Sequence, residues 1–238
     1  MTVNGISNGY GGFGMSSLNP IQYYVTHYSQ GKIFVFDDNW NYVSNKSSFL
    51  NVNYMIPGGN YFYITSNDNI WKTDQQLNVL ITHTNSTGSS PKYTGLYYNS
   101  TKNLIYVALC YLEVIHVFNL NLTLNDSISI TPYQPYSIKE HNNELYVGTD
   151  NGTMLVISNK QIIKQFNACN GQSVKLYSII FDDFNNMATS CDNNQLYLYN
   201  TAGTYLNKSI PTVSFPMYIG LDSKSRLVVV TSQITLYN

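Results

Sequence analysis

Few residues in this chain are equipped for covalent chemistry. The four histidines, His27, His83, His116 and His141, are scattered with no close pairing. Two carboxylates adjoin, Asp182 and Asp183, but FDDFNN reads as a solvated turn. No G-x-S-x-G, H-E-x-x-H or phosphate-cradling glycine loop is present. A catalytic or metal site would have to be gathered from distant residues, as a fold can do. Recognition chemistry is better supplied, because an aromatic recurs in one sequence context at Phe13, Tyr54, Tyr93, Tyr136, Tyr177 and Tyr218. Tyrosine pairs a broad apolar face with a polar tip, which suits sugars, peptides and other polar ligands.

Repeated elements must position these aromatics. Six segments share an apolar strand that closes on Asp or Asn: IFVFD, IWKTD, IHVFN, LVISN, LYLYN and ITLYN. Their closing residues are Asp37, Asp74, Asn119, Asn159, Asn200 and Asn238, so the period is near 40. A side-chain carboxylate or amide can bond the backbone two residues on and start a turn. A second strand precedes each phrase, and a third, marked by the aromatic, precedes that. A fourth usually follows, as in NYVSN and TYLNKS. Four antiparallel strands repeating at this period make a β-propeller blade. The expectation is an all-β, six-bladed propeller spanning residues 1–238 as one domain, with almost no helix.

The last phrase, ITLYN, has no fourth strand after it. TVNGIS (2–7) can supply that strand, and GFGMSS (12–17) can open the first blade with Phe13 where the others have Tyr. The ends would then share a blade and close the ring without a free edge. The other reading makes the Gly-rich start a leader. If the ends latch, Val3 or Ile6, but not both, should be buried.

In this architecture the strand bearing the aromatic is innermost. The six rings then either form a collar at the mouth of the channel or pack between blades. Cys169 and Cys191 fall at the same end of the ring, so they are either bridged or both unpaired. A bridge would imply an oxidising compartment. Cys110 lies two blades away and reads as a lone buried thiol.

Composition narrows the partners. Hydrophobic residues make up 43% and charged residues 11%, with 22 tyrosines and a formal net charge of −1. Arg226 is the only arginine. A nucleic-acid ligand would demand a basic face, so none is expected. No apolar run approaches a membrane span, and the first twenty residues lack the pattern of a signal peptide. Seven N-x-S/T sequons occur, at Asn45, Asn85, Asn99, Asn121, Asn125, Asn151 and Asn207. At this Asn, Ser and Thr content chance gives about five or six, so they decide little.

FPMYIGLDSKSRLVVVTSQITLYN resembles the repeat of NHL-type propellers, through Pro216, Ile219, Leu221, Asp222 and the paired strands after them. GKIFVFDDNWNYV matches the end of the same unit. The family's glycine after Pro-x is replaced by tyrosine here, and its arginine before the third strand is absent. The resemblance implies the fold and the habit of binding on one face of the ring. Family activities include RNA binding, protein scaffolding and some lyases; the scarcity of basic residues speaks against RNA.

The expected function is therefore non-enzymatic binding of a protein, peptide or carbohydrate, with no cofactor, by a monomer. The binding face would carry the loops from the fourth strand to the next blade and from the second strand to the third. The alternative is a propeller-type hydrolase or lyase with a metal at the channel mouth. The compartment is expected to be extracellular or secreted.

Overall fold

The computed structural model describes residues 2–3, 12–16, 19–85 and 92–237. It is a ring of six four-stranded antiparallel sheets. Strands are lettered a to d from the axis outward. Blade 1 is Phe13–Met15, Gln22–His27, Lys32–Asp37 and Tyr42–Lys46. Blade 2 is Tyr54–Gly58, Tyr61–Thr65, Asn69–Thr73 and Val79–Thr84. Blade 3 is Tyr93–Asn99, Leu104–Leu109, Val114–Asn119 and Leu124–Ser129. Blade 4 is Pro135–His141, Glu144–Thr149, Thr153–Ser158 and Gln161–Asn167. Blade 5 is Leu176–Phe181, Asn186–Cys191, Gln195–Asn200 and Tyr205–Pro211. Blade 6 is Tyr218–Leu221, Leu227–Val230 and Ile234–Tyr237, with Thr2–Val3 as its outer strand. One 3-10 turn, Cys110–Leu112, is the helical content of the described residues.

The ends of the chain close the ring as the unpaired last phrase predicts. Thr2 pairs with Thr235 and Val3 with Ile234 in antiparallel register. The rest of the expected latch strand, and the burial of Val3 or Ile6, lie outside the described residues.

The core is divided among the seams between blades. Tyr24, Ile33 and Val35 of blade 1 pack on Met55, Phe62 and Ile64 of blade 2. Tyr106, Ile115 and Val117 of blade 3 meet Leu145, Val147 and Leu155 of blade 4. Blades 4 and 5 are joined through Met154, Val156, Leu176 and Met187. A twisted four-stranded sheet is apolar on both faces when each face meets a neighbour, which is why strands b and c read as nearly continuous apolar runs. Strand d alternates toward solvent instead, with Tyr42–Lys46 and Val79–Thr84 largely exposed.

Side-chain hydroxyls and one amide tie neighbouring blades together near the axis. Thr26 Oγ1 donates to Asn53 O of blade 2 at 3.3 Å, and Asn53 Nδ2 to Tyr93 O of blade 3 at 2.8 Å. Thr94 Oγ1 donates to Pro135 O (2.7 Å), Ser137 Oγ to Leu176 O (3.1 Å) and Ser178 Oγ to Ile219 O (3.4 Å). Each bond runs from one blade to the next in the same sense. The backbones are close enough that a Cβ on Gly95 would sit 2.8 Å from Ser137 Cα.

The turns at one end of the ring follow one recipe. Asp37 Oδ1 accepts from the N–H of Asn39 (2.9 Å) and of Asn41 (2.8 Å), while the N–H of Trp40 bonds Asp37 O. Asp74, Asn119, Asp182 and Asp222 each accept two backbone N–H groups in the same way. The fourth position is left-handed, at Trp40, Leu77, Leu122, Asn185, Gly203 and Ser225. Trp40, Leu77 and Leu122 are buried plugs, so packing offsets the strain of a positive φ. Asn159 departs from the expected turn-starting role. With Lys160 it forms a two-residue turn, at φ of 49° and 65°, between Ser158 and Gln161.

Candidate functional site

A channel runs along the ring axis, lined by the a strands. Its upper mouth lies on the face with the d-to-a and b-to-c connections. Its lower mouth lies among the a-to-b and c-to-d turns.

The upper mouth opens into a cavity of about 350 Å³. Tyr177, Phe215, Met217, Asn53, Lys92, Lys175 and Asp192 line it. Phe215 is 44% exposed beside it. Lys175 Nζ stands 5.5 Å from the centroid of the Tyr136 ring, within cation–π range. Tyr136 and Tyr177 meet edge to face at 5.9 Å, over the buried thiol of Cys110. Burial pushes the Tyr177 phenol up, helped by the nearby Asp192 carboxylate, and burial does the same to Tyr136 beside Cys110. Both phenols are therefore neutral donors at physiological pH rather than phenolate nucleophiles.

Cys169, between blades 4 and 5, and Cys191, at the end of strand b in blade 5, form a disulfide on this face with Cα atoms 5.9 Å apart. Cys110 is free and buried. Burial raises its thiol above the ordinary range, so it has little thiolate character.

The structure separates the six sequence-marked aromatics. Tyr54 crosses the channel from blade 2 and donates its hydroxyl to Tyr177 O of blade 5. Burial raises the Tyr54 phenol, and burial pushes Tyr218 up to about 12. Phe13 lies 5.9 Å from Tyr218 but also stacks on Trp40 at 5.8 Å, so it serves the seam between blades 6 and 1 as well. Tyr93 stands apart, wholly buried in the wedge with Tyr63, Ile105 and Val107.

The strand register sets Tyr136 and Tyr177 apart from Tyr93, but it does not decide which rings reach the axis, because Tyr54 and Tyr218 also pair in register, with Thr65 and Val230. In blades 4 and 5 a bulge falls at Tyr136 and Tyr177, whose neighbours pair on either side. In blade 3 Tyr93 pairs in register with Leu109 and the bulge comes after it. A bulge re-aims the residue on which it falls.

The histidines serve packing. His83 and His116 meet the ring of Phe118 at 4.9 and 5.9 Å, and burial lowers both imidazoles. His141 stacks on Phe181 at 4.2 Å. His27 is buried at the upper end of its strand. Among the described residues, no three His, Cys, Asp or Glu side chains are gathered to hold a metal ion. Asp182 starts a solvent-facing turn, as its sequence context predicts.

The lower mouth is different in kind. Its cavity, about 310 Å³, is bounded by Met15, Ile56, Pro57, Tyr97, Ile180, Phe181 and Leu221. Among the described residues Lys139 brings the only charge to this lining. Composition gives no hint of it, since Lys139 is one lysine among several. The signal that could find it is its place two residues after the serine of PYSIK, on the innermost strand.

The fold and its channel define a six-bladed β-propeller. No family model and no curated protein sequence matches the chain. Solved structures similar to it include a catalytically inactive H270A virginiamycin B lyase from Staphylococcus aureus with quinupristin. At 12% identity that structure aligns over 100% of this chain and 87% of its own, with a TM-score of 0.72. A streptogramin B lyase structure gives 13% identity, 100% and 85% coverage and a TM-score of 0.73. The Pan2 WD40 domain of Neurospora crassa gives 10%, 94%, 73% and 0.69. The NHL-type resemblance thus holds at the level of the ring, while these three similar structures are two lyases and a WD40 domain.

Proposed function

We propose that the protein is a non-enzymatic binding module whose ligand, a peptide segment or a glycan, docks on the upper mouth. The observation that carries this reading is the make-up of that mouth. It combines the exposed ring of Phe215, the buried Tyr177 beneath the mouth, cations at Lys92 and Lys175 and an anion at Asp192. Aromatic faces pack on sugar rings and peptide side chains, while the mixed charges and Asn53 satisfy polar groups of either sign. Loops on a rigid ring can vary without disturbing the seams. The resemblance of Pro216 to Asp222 to the NHL-type repeat supports binding on one ring face. The disulfide supports an oxidising, extracellular setting.

The test is a glycan and peptide array probed with the intact protein, followed by titration of the hits. Phe215→Ala and Lys175→Ala should each weaken a genuine hit by about tenfold, since such anchors carry most of an interface's energy. Hits that bind both variants as well as the parent would refute the site.

A second reading rests on the two lyase structures, which match this chain from end to end. It makes the protein a lyase or hydrolase with a metal at the channel mouth. Turnover of quinupristin, or one stoichiometric ion in the purified protein whose removal abolishes an activity, would establish it over the binding reading.

A further inference from the structure

The lower mouth holds a cation with no anion. Lys139 extends from strand a of blade 4 into the apolar cavity. Its neighbour Glu140 points the other way, to Asn99 and to Lys102 of blade 3. Among the described residues Lys139 Nζ has no ion-pair partner, and its aromatic contact is the Tyr97 ring at 5.5 Å. Burial lowers the ammonium's pKa, and no carboxylate offsets it. The hydroxyls of Tyr97 and Tyr218, which line the same cavity, also meet no hydrogen-bond partner among the described residues. All three groups can donate, and among the described residues no Asp or Glu lines the cavity.

A desolvated cation is costly unless something pairs with it. The walls around this one are apolar. They suit a ligand with one anionic end and a hydrocarbon or aryl body, more than a compact hydrated anion. From this we infer that the lower mouth binds a small apolar monocarboxylate, its carboxylate on Lys139 with Tyr97 and Tyr218 as accessory donors. The body would lie against Ile56, Ile180 and Phe181. A cavity of about 310 Å³ is at the small end of ligand pockets, so an acid of about ten carbons fits its scale. This site is separate from the upper mouth and does not depend on what binds there.

Calorimetric titration with decanoate, below its micellar range, tests the inference. We expect saturable one-to-one binding to the intact protein. Decanol should bind at least about tenfold more weakly, because a charge-assisted hydrogen bond is lost. Lys139→Met should weaken decanoate by about tenfold or more, and Lys139→Arg should retain it within about threefold. Lys208→Met, on the exposed outer strand of blade 5, should leave it unchanged. Equal affinity for decanol, or undiminished binding by Lys139→Met, would overturn the inference. So would inorganic phosphate displacing decanoate, since that would make the site a simple anion site. Should Lys139→Met fail to fold, Lys139→Arg and Tyr218→Phe carry the test. Retention by the first with a loss of about threefold in the second supports it, and a loss in the first with none in the second overturns it.

Discussion

The two ends of the channel are built by opposite means. At the lower end, turn after turn repeats one solution, an Asp or Asn that accepts two backbone N–H groups and a left-handed residue that returns the chain. At the upper end the recipe is found at Asn167, which accepts from the N–H of Cys169 and of Gly171 with Asn170 left-handed, but the connections there are otherwise unlike one another. A disulfide ties Cys169 to Cys191, a 3-10 turn follows Leu109, and longer connections carry Phe215 and Lys175 to the axis. Local turn chemistry holds the first end in place, so it is scaffold apart from its cavity. Seams and a covalent tether hold the second, leaving its loop residues available for recognition.

The largest effect should come from breaking a lower-end turn where it is also part of a seam. Asp222 is 5% exposed and accepts from Arg226 Nε at 2.8 Å and from Trp40 Nε1 of blade 1 at 3.3 Å. Beside it, Tyr23 and Ser223 bond Asp38. This polar network joins blade 6 to blade 1, the seam across which no strand-a hydroxyl bond is found among the described residues. Asp222→Ala strands the Arg226 guanidinium and should cost about 3–5 kcal/mol. In a domain of this size, that is a fall in Tm of roughly 6–20 °C. A change under about 2 °C by calorimetry would mean that the lower turns do not hold the scaffold.

Acid should attack the same end. Burial raises the Asp222 carboxyl, but hydrogen bonds from Arg226, Lys224 and Trp40 outweigh it and hold the pKa below the ordinary carboxylate range. Asp74 and Asp182 are likewise held down, against burial, by bonds from Asn78 and Gln76 and from Asn186 and Phe184. A depressed folded pKa gives stability that is full above the unfolded value and is lost as pH falls through the folded one. Unfolding free energy measured in urea should therefore decline below about pH 4, and Asp222→Asn should flatten that decline. An unchanged slope in the variant would mean that other carboxylates cause the decline.

Next in size is the upper tether. A loop closed over a sequence separation of 22 stabilises by about 3 kcal/mol on the chain-entropy estimate. The paired change Cys169→Ser and Cys191→Ser should lower stability by about that much. Amide exchange should rise most near residues 168–175 and 191–195, leaving the lower turns protected. Uniform loss of protection over the ring would mean that the bridge supports the whole fold rather than one face.

The same contrast governs what is legible in the amino-acid sequence. The closing Asp and Asn residues stand out because their role is local, a side chain bonding a backbone two and four residues on. Among the described closing residues Asn159 alone escapes that reading, since in a two-residue turn the same residue type is chosen for its left-handed backbone, and Asn238 lies outside the described residues. The aromatic collar is less readable. Pairing register does not tell which strand-a tyrosine reaches the axis: Tyr54, Tyr93 and Tyr218 all pair in register, yet Tyr54 and Tyr218 line the channel while Tyr93 is buried in a wedge, with no mark in the sequence nearby. The hydroxyl ties between blades do leave a mark, the Ser or Thr after the aromatic in KYT, PYS and LYS, absent from MYI in blade 6. Lys139 is marked by its place two residues after the serine of PYS, but its significance lies in the acids that do not surround it among the described residues.

The smallest effect on stability should come from the upper mouth itself. Lys175 belongs to no ion pair among the described residues, and Phe215 is 44% exposed. Substitutions at such positions usually change stability by no more than about 0.5 kcal/mol. Phe215→Ala and Lys175→Ala should therefore melt within about 2 °C of the parent. Ser137→Ala, one seam hydroxyl away, should cost about 1 kcal/mol, because Leu176 O loses its buried donor. The contrast between the two ends requires that order: a seam substitution felt by the fold, and mouth substitutions felt only by a ligand. Melting curves of the three variants side by side decide it. If Phe215→Ala or Lys175→Ala proves as destabilising as Ser137→Ala, the upper mouth is part of the structure that closes the ring. Its aromatic and charged residues would then be explained by packing, with nothing left over for recognition.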